Sequence, residues 1–151
     1  MNLYREFTRS GTSGTDIHDL TAEVRSAVRE SGVREGIAMV FAPGSTAAIS
    51  TIEYETGVLD DLRRAVDRLA PSGDRYAHDA AWGDGNGYAH VRAALLGPSV
   101  SIPVHEGEPM LGTWQQVVLI DFDNRARDRR VIVQVSGCEG DPGDHDGRRL
   151  P

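Results

Sequence analysis

Hydrophobic positions along the chain change their period several times, and each change predicts an element. Residues 3–8 alternate apolar and polar, the period of a strand, and Gly11 and Gly14 mark a turn. Leu20, Val24 and Val28 then recur at helical spacing. Thr21 is the expected N-cap, Glu23 suits the first turn, and Ser31-Gly32 is the expected stop. Residues 36–41 are continuously apolar, which predicts a strand buried on both faces. Pro43-Gly44-Ser45-Thr46 breaks that run, and residues 47–53 read as the next strand. Leu59, Leu62, Ala65, Val66 and Leu69 form one stripe of a second helix that Pro71 ends. A polar loop is expected over residues 72–87, then a short helix over 88–96 closed by Gly97-Pro98. Strands at 99–104 and 113–123 flank a turn at 105–108. A last hairpin through 124–127 leads into a valine-rich strand at 130–135.

About seven strands with two amphipathic helices and one short helix make an α+β domain. The antiparallel C-terminal hairpins point to a sheet or sandwich and away from a doubly wound fold. The domain is expected to span residues 1–137, with a Gly/Asp/Arg-rich tail, 138–151, that is disordered. No apolar run approaches the roughly 18 residues of a membrane span. The first residues show no basic segment followed by an apolar core, so a cytoplasmic protein is expected.

Charge narrows the chemistry. The formal net charge of −7 argues against nucleic acid as a partner, because phosphate backbones demand a basic surface. All 16 basic residues are arginine, which excludes a lysine Schiff base but leaves bidentate grips on carboxylate or phosphate. Cys138 is the sole cysteine, so no internal disulfide or cysteine-rich zinc site forms. No GxGxxG or P-loop sequence is present.

The chemistry-bearing residues concentrate between His78 and Gln115. His78 and His90 stand twelve residues apart, one in the polar loop and one on the short helix. Together they suit an acid–base pair or a divalent metal, and the alternative is a hydrogen-bonded structural pair. Glu53 and Glu55 sit at alternate positions after an apolar strand, as ligands, a base, or a solvated strand end. Trp114 reads as a pocket wall or a core residue, with Thr113 or Gln115 supplying a directed hydrogen bond. Arg125, Arg127, Arg129 and Arg130 read as a solvated turn, an intersubunit salt-bridge set or an anion site. His18, His105 and His145 carry little weight.

Taken in order, Gly44-Ser45-Thr46-Ala47-Ala48-Ile49, Glu53, Leu69-Ala70-Pro71, Tyr76-Ala77-His78, Ala89-His90, Leu96-Gly97-Pro98-Ser99, Ile102-Pro103-Val104 and Leu111-Gly112-Thr113-Trp114-Gln115-Gln116 form a pattern, which Arg129-Arg130 completes. It resembles the YjbQ-type family, also called UPF0047 or secondary thiamine-phosphate synthase. The resemblance implies a seven-stranded β-sandwich-like fold, a homotrimer, and a polar site near the subunit boundary. By the same resemblance His78, His90 and Glu53 are the catalytic or metal-ligating residues. Ser45, Thr46, Asn86, Thr113, Trp114 and Gln115 are the expected substrate-binding residues, Asn86 for its place in the polar loop. The implied cofactor is a divalent metal, zinc or magnesium. The implied partners are further copies of the chain; the arginines add the expectation of a small anionic metabolite, and charge and hydropathy that of no nucleic acid and no membrane.

One departure stands out. Many members carry a histidine where this chain has Gly44, so Glu53, Glu55 or water would have to complete a zinc shell, with Glu55 the candidate for compensation. Two functions follow as expectations. One is an enzyme, thiamine-phosphate synthase-like, acting on a small phosphorylated or carboxylated metabolite. The other is a non-catalytic trimeric metal- or ligand-binding protein.

Overall fold

The most apolar strand of the chain runs through the middle of the molecule rather than along a surface. In the computed structural model, which describes residues 1–139, β7 (Gln116–Asp121) is the central strand of a three-stranded antiparallel sheet, ordered β2-β7-β4. Its neighbours are β2 (Asp16–Asp19) and β4 (Ala47–Ile52). Successive side chains of β7 enter two separate cores, as the strand period of two requires. Val117 and Leu119 join one cluster, and Val118 and Ile120, followed by Phe122, join the other.

The first cluster fills the space between this sheet and a five-stranded antiparallel sheet ordered β1-β8-β3-β5-β6. Its strands are β1 (Asn2–Thr12), β8 (Arg127–Cys138), β3 (Glu35–Phe41), β5 (Ser99–His105) and β6 (Glu108–Pro109). Helix α1 (Thr21–Ser31) adds Val24, Ala27 and Val28, one helical face, to the same core, and left-handed Gly32 ends it. The second cluster lies between the three-stranded sheet and helices α2 (Thr56–Leu69) and α4 (Gly87–Leu96). Fully burying each Val, Leu, Ile or Phe of these clusters contributes about 1.5–3 kcal/mol.

Among the described residues, eight strands in two antiparallel sheets and four helices make the predicted α+β fold, with several corrections. Strand β3 is not buried on both faces. Ala38 and Val40 face the core, but Ile37 on the opposite face is 53% exposed. The strand buried on both faces is β7, which has a sheet core on one side and helices on the other. The expected hairpins at 105–108 and 124–127 do not join β5 to β7 or β7 to β8. Each connection crosses between sheets, and β5 turns back through Glu106 and Gly107, both at positive φ, into the short β6.

Thr21 is not the cap of α1. Leu20 holds that position, Asp19 Oδ1 accepts the Thr21 N–H at 2.9 Å, and Thr21 Oγ1 accepts from Val117 N–H at 3.0 Å. Leu69 leaves the predicted core stripe and is 72% exposed. The polar stretch 72–87 is interrupted by helix α3 (Ala77–Trp82), which buries none of its residues. Strand β8 runs to Cys138, one residue beyond the expected domain limit. From residue 140 the expected tail, His145 included, lies outside the described residues. No described helix is long and apolar enough to cross a membrane.

Candidate functional site

The β4–β7 ladder has a cavity at each end, and the candidate residues divide between them. Register explains the division. Ala47 pairs with Asp121 at one end of the ladder, and Ile52 pairs with Gln116 at the other. Seven extended residues separate Thr46 from Glu53, about 23 Å at the usual strand rise.

At the first end, a cavity of about 400 Å³ is lined by Gly44, Ser45, Thr46, His78, Trp82, Asp84, Asn86, His90, Asp123, Arg127 and Arg129. Helix α3 supplies His78 and Trp82, and α4 supplies His90. Asp79 folds the second helix back on the first. Its carbonyl accepts from Gly83 N–H, where α3 ends in a left-handed turn, and its Oδ1 accepts from Gly87 N–H at 2.9 Å. Gly87 has no room for a side chain, since a Cβ would lie 2.5 Å from Tyr76 Cβ. The result is that the His78 and His90 rings sit with centroids 4.4 Å apart, tilted by 50°.

His78 Nε2 lies 3.3 Å from Asp84 Oδ1, close enough for charge attraction but not aligned as a hydrogen bond. Both atoms are buried without a hydrogen-bond partner, and so is Asn86 Oδ1. Asn86 is only 3% exposed, and its Nδ2 donates weakly to Asp123 Oδ1 at 3.4 Å. Orphaned buried polar atoms are rare, and those that line this cavity are open to water or to a bound molecule.

Behind this wall lies an acid–arginine network absent from the expected site. Arg129 Nε and Nη2 grip Asp121 at 2.6 and 2.9 Å, and Nη2 also donates to Thr46 Oγ1 at 2.7 Å. Thr46 Oγ1 donates to Asp123 Oδ2 at 2.9 Å, and Arg127 Nε donates to the same oxygen at 2.5 Å. Thr12 hydrogen-bonds Asp121 as well. Asp121 and Asp123 are fully buried and Arg129 nearly so. Two of the four clustered arginines are therefore not a solvated turn. Arg130 is on the outer side, paired with Glu6, and Arg125 is exposed. The signal in the sequence is alternation: Asp121 and Asp123 share one strand face, as do Arg127 and Arg129.

Burial pushes the Asp123 carboxyl up, but hydrogen bonds from Thr46, Arg127, the Asn124 N–H and Asn86 outweigh it and hold the group below the ordinary 3.8. A carboxyl lowered by folding stabilises the native state fully above its unfolded range and loses that contribution as pH falls through its folded value. Urea midpoints measured from pH 7 down to about pH 3 should therefore fall below about pH 4. They should fall less steeply in Asp123→Asn, which has no charge to lose. Parallel curves would show that Asp123 is not responsible.

At the other end, a cavity of about 450 Å³ is lined by Asp19, Glu53, Tyr54, Glu55, Thr113, Trp114 and Gln116. Trp114 is 72% exposed, a wall and not a core residue. Gln115 spends both ends of its amide within the protein, donating to Thr51 Oγ1 and accepting from Gly112 N–H. Glu55 is the N-cap of α2, accepting from Gly57 and Val58 N–H at 2.8 and 3.0 Å, so its oxygens are already engaged. Of the expected residues, Ser45, Thr46, Asn86, His78 and His90 share one cavity, while Glu53, Thr113 and Trp114 share the other.

The donor set departs from the expected metal centre. The first cavity offers two imidazoles and Asp84, and Glu53 is a strand length away. Among the described residues no three His, Cys, Asp or Glu side chains are disposed to hold an ion. A zinc or magnesium centre made from His78, His90 and Glu53 of one chain does not fit this geometry. Neither does a replacement ligand at Glu55. Gly44 has its own reason to be glycine, with φ of +134° and a notional Cβ only 3.3 Å from Arg129 Nη1.

The sequence and the fold have close counterparts. The model of the family described as UPF0047 protein YjbQ-like matches residues 5–138. A UPF0047 protein of Archaeoglobus fulgidus is 39% identical over 130 residues, covering 86% of this chain and 98% of that protein. One from Mycobacterium bovis is 40% identical over 129 residues, covering 85% and 96%. The crystal structure of a YbjQ-like protein of unknown function from Sulfolobus solfataricus superposes with a TM-score of 0.86 at 29% identity, covering 91% of this chain and 98% of that one. An uncharacterised YjbQ/UPF0047 protein from Clostridium acetobutylicum gives 0.80 at 34% identity, covering 87% and 99%. On sequence and on structure alike, the chain belongs to the YjbQ-like UPF0047 family.

Proposed function

We propose that the cavity between Gly44 and His90 binds a small phosphorylated or carboxylated metabolite in the cytoplasm, and that His78 and His90 carry protons to and from it. The observation that supports this most directly is the pair of imidazoles 4.4 Å apart, beside buried oxygens of Asp84 and Asn86 that accept no hydrogen bond among the described residues. Asp84, 3.3 Å from His78 Nε2, is placed to hold that ring when Nε2 carries a proton. Thiamine phosphate formation, the reaction the resemblance implies, is the first turnover to assay.

Glu53 and the Thr113-Trp114 turn enter this reading through a second copy. Since they lie about 23 Å from Thr46 along the same strand, a homotrimer would bring the Glu53 end of one copy against the His90 end of the next. A head-to-tail contact of that kind closes into a ring of three when each copy is turned by a third of a circle from the last.

Complementation tests site and assembly together. His90→Ala and Glu53→Gln should each lose turnover, and mixed assemblies of the two variants should regain part of it, because some interfaces then carry both native residues. Two inactive variants whose mixtures stay inactive would rule out the shared site. Unchanged turnover in His90→Ala would rule out the acid–base role.

A further inference from the structure

We infer that the Gly44 end of this cavity is a phosphate-monoester subsite, built by the guanidinium groups of Arg127 and Arg129 and the backbone of Gly44 and Ser45. The inference rests on the reading of the cavity as a metabolite site and names which part of the metabolite goes where.

Arg129 shows why an anion belongs there. The side chain is 6% exposed and its Nε and Nη2 are committed to Asp121 and Thr46. Its Nη1 makes no hydrogen bond among the described residues and lies 3.3 Å from the space a Cβ on Gly44 would fill. Glycine leaves that space empty. Arg127 spends only Nε on Asp123, so among the described residues both of its terminal nitrogens remain available at the same wall. The Gly44 and Ser45 N–H groups make no hydrogen bond among the described residues either, and they precede β4 on the rim of the cavity. Successive free N–H groups beside guanidinium donors form an anion-binding concavity.

The neighbouring carboxylates do not compete. Asp121 and Asp123 lie behind the arginines, with their oxygens occupied by Thr12, Thr46, Arg127, Arg129 and Asn124 N–H. They fix the guanidinium planes, and the other carboxylate of the lining, Asp84, lies beside His78 Nε2 at 3.3 Å. Holding a buried arginine between two buried aspartates adds little net stability compared with apolar packing, so stability alone does not account for it. The count of open donors favours phosphate over carboxylate. Three terminal oxygens of a phosphate monoester can engage both arginines and the backbone together, whereas a carboxylate offers two. The imidazoles and Asn86 then face the remainder of the molecule.

Calorimetric titration of the full chain with inorganic phosphate, and separately with acetate, tests the subsite. Wild type is expected to bind phosphate with a dissociation constant near or below about 1 mM and to prefer it over acetate by about tenfold or more. Arg127→Gln, which keeps an amide donor for Asp123 but drops both terminal guanidinium nitrogens, should weaken phosphate about tenfold or more, measured on protein that its urea curve shows to be folded. Gly44→Ala, which fills the space beside Nη1, should weaken it similarly. His90→Ala should bind phosphate as wild type does, so loss of turnover there with phosphate binding intact supports both readings. Full turnover in His90→Ala with intact phosphate binding would overturn only the acid–base role. Absence of phosphate binding at about 10 mM, equal affinity for acetate, or unchanged affinity in Arg127→Gln would overturn the subsite.

Discussion

Arg129→Ala is expected to destabilise the chain by about 3–5 kcal/mol, the range for removing one partner of a buried ion pair. The loss comes less from the bonds removed than from the charge left behind. Asp121 is fully buried, and Arg129 meets both of its oxygens, at 2.6 and 2.9 Å. Asp123, also fully buried, lies 3.8 Å from the same guanidinium. Without Arg129, Thr12 and the Asp123 N–H remain on Asp121, but neither carries a positive charge. Thr46 also loses its donor from Arg129. Urea unfolding should show a midpoint lower by more than about 1 M at ordinary slopes of roughly 1–3 kcal/mol per molar. Arg130→Ala is the control. Its two contacts to Glu6 are well formed, but both side chains face water, which screens the pair, so little or no shift of the midpoint is expected. Equal losses in the two variants would contradict the buried network. Partial recovery in Arg129→Ala/Asp121→Asn would identify the uncompensated carboxylate as the cause.

That network explains which parts of the molecule are legible from sequence. Elements with one strong local signal appear close to where the periodicity puts them: α1 up to Gly32, α2 up to Leu69, and β4 after the Pro43-Gly44 break. What periodicity does not carry is which sheet a strand joins. The turn residues at 105–108 and 124–127 suit hairpins, yet β5 and β7, and β7 and β8, belong to different sheets. Only long-range pairing decides that, through the apolar faces β7 shows to both cores. Strand β2 has four residues and helix α3 six, too short for a period to declare itself.

The candidate site shows the same limit. His78 and His90 are visible as unusual residues near a helix, and Asp79 and Gly87 bring them together as a twelve-residue spacing permits. Glu53 has an equally suggestive place in the chain and arrives at the opposite end of β4. Residue order along a strand is also distance, and seven residues of extended chain exceed the reach of any side chain. Asp121 and Asp123 do not stand out in the sequence, because acidic residues ending an apolar strand ordinarily meet water. Here Arg129 comes back along β8 to cover them. The resemblance to the family locates the residues as a set, and the strand shows that one chain does not gather them.

His90→Ala is expected to lower kcat/KM by about 10²–10⁴, the usual range for removing a positioned acid or base. His78→Ala should fall in the same range, because the two rings face each other at 4.4 Å and one proton path would use both. If they act as a unit, the double variant is little worse than either single one. If each acts separately, the losses multiply. Asp84→Asn discriminates further. It keeps the shape beside His78 Nε2, 3.3 Å away, but removes the charge that orients the ring. It should therefore lower kcat while leaving KM nearly unchanged, since Asp84 is assigned to the base and not to the bound metabolite. Substitution at these half-buried positions removes no large apolar side chain from either core. Urea midpoints within about 1 kcal/mol of wild type are expected, and they separate lost chemistry from lost folding. A fall in kcat/KM confined to variants that also unfold early would leave the histidines a structural role. A fall in stably folded His78→Ala and His90→Ala, with phosphate still bound, would place the proton transfer on this pair.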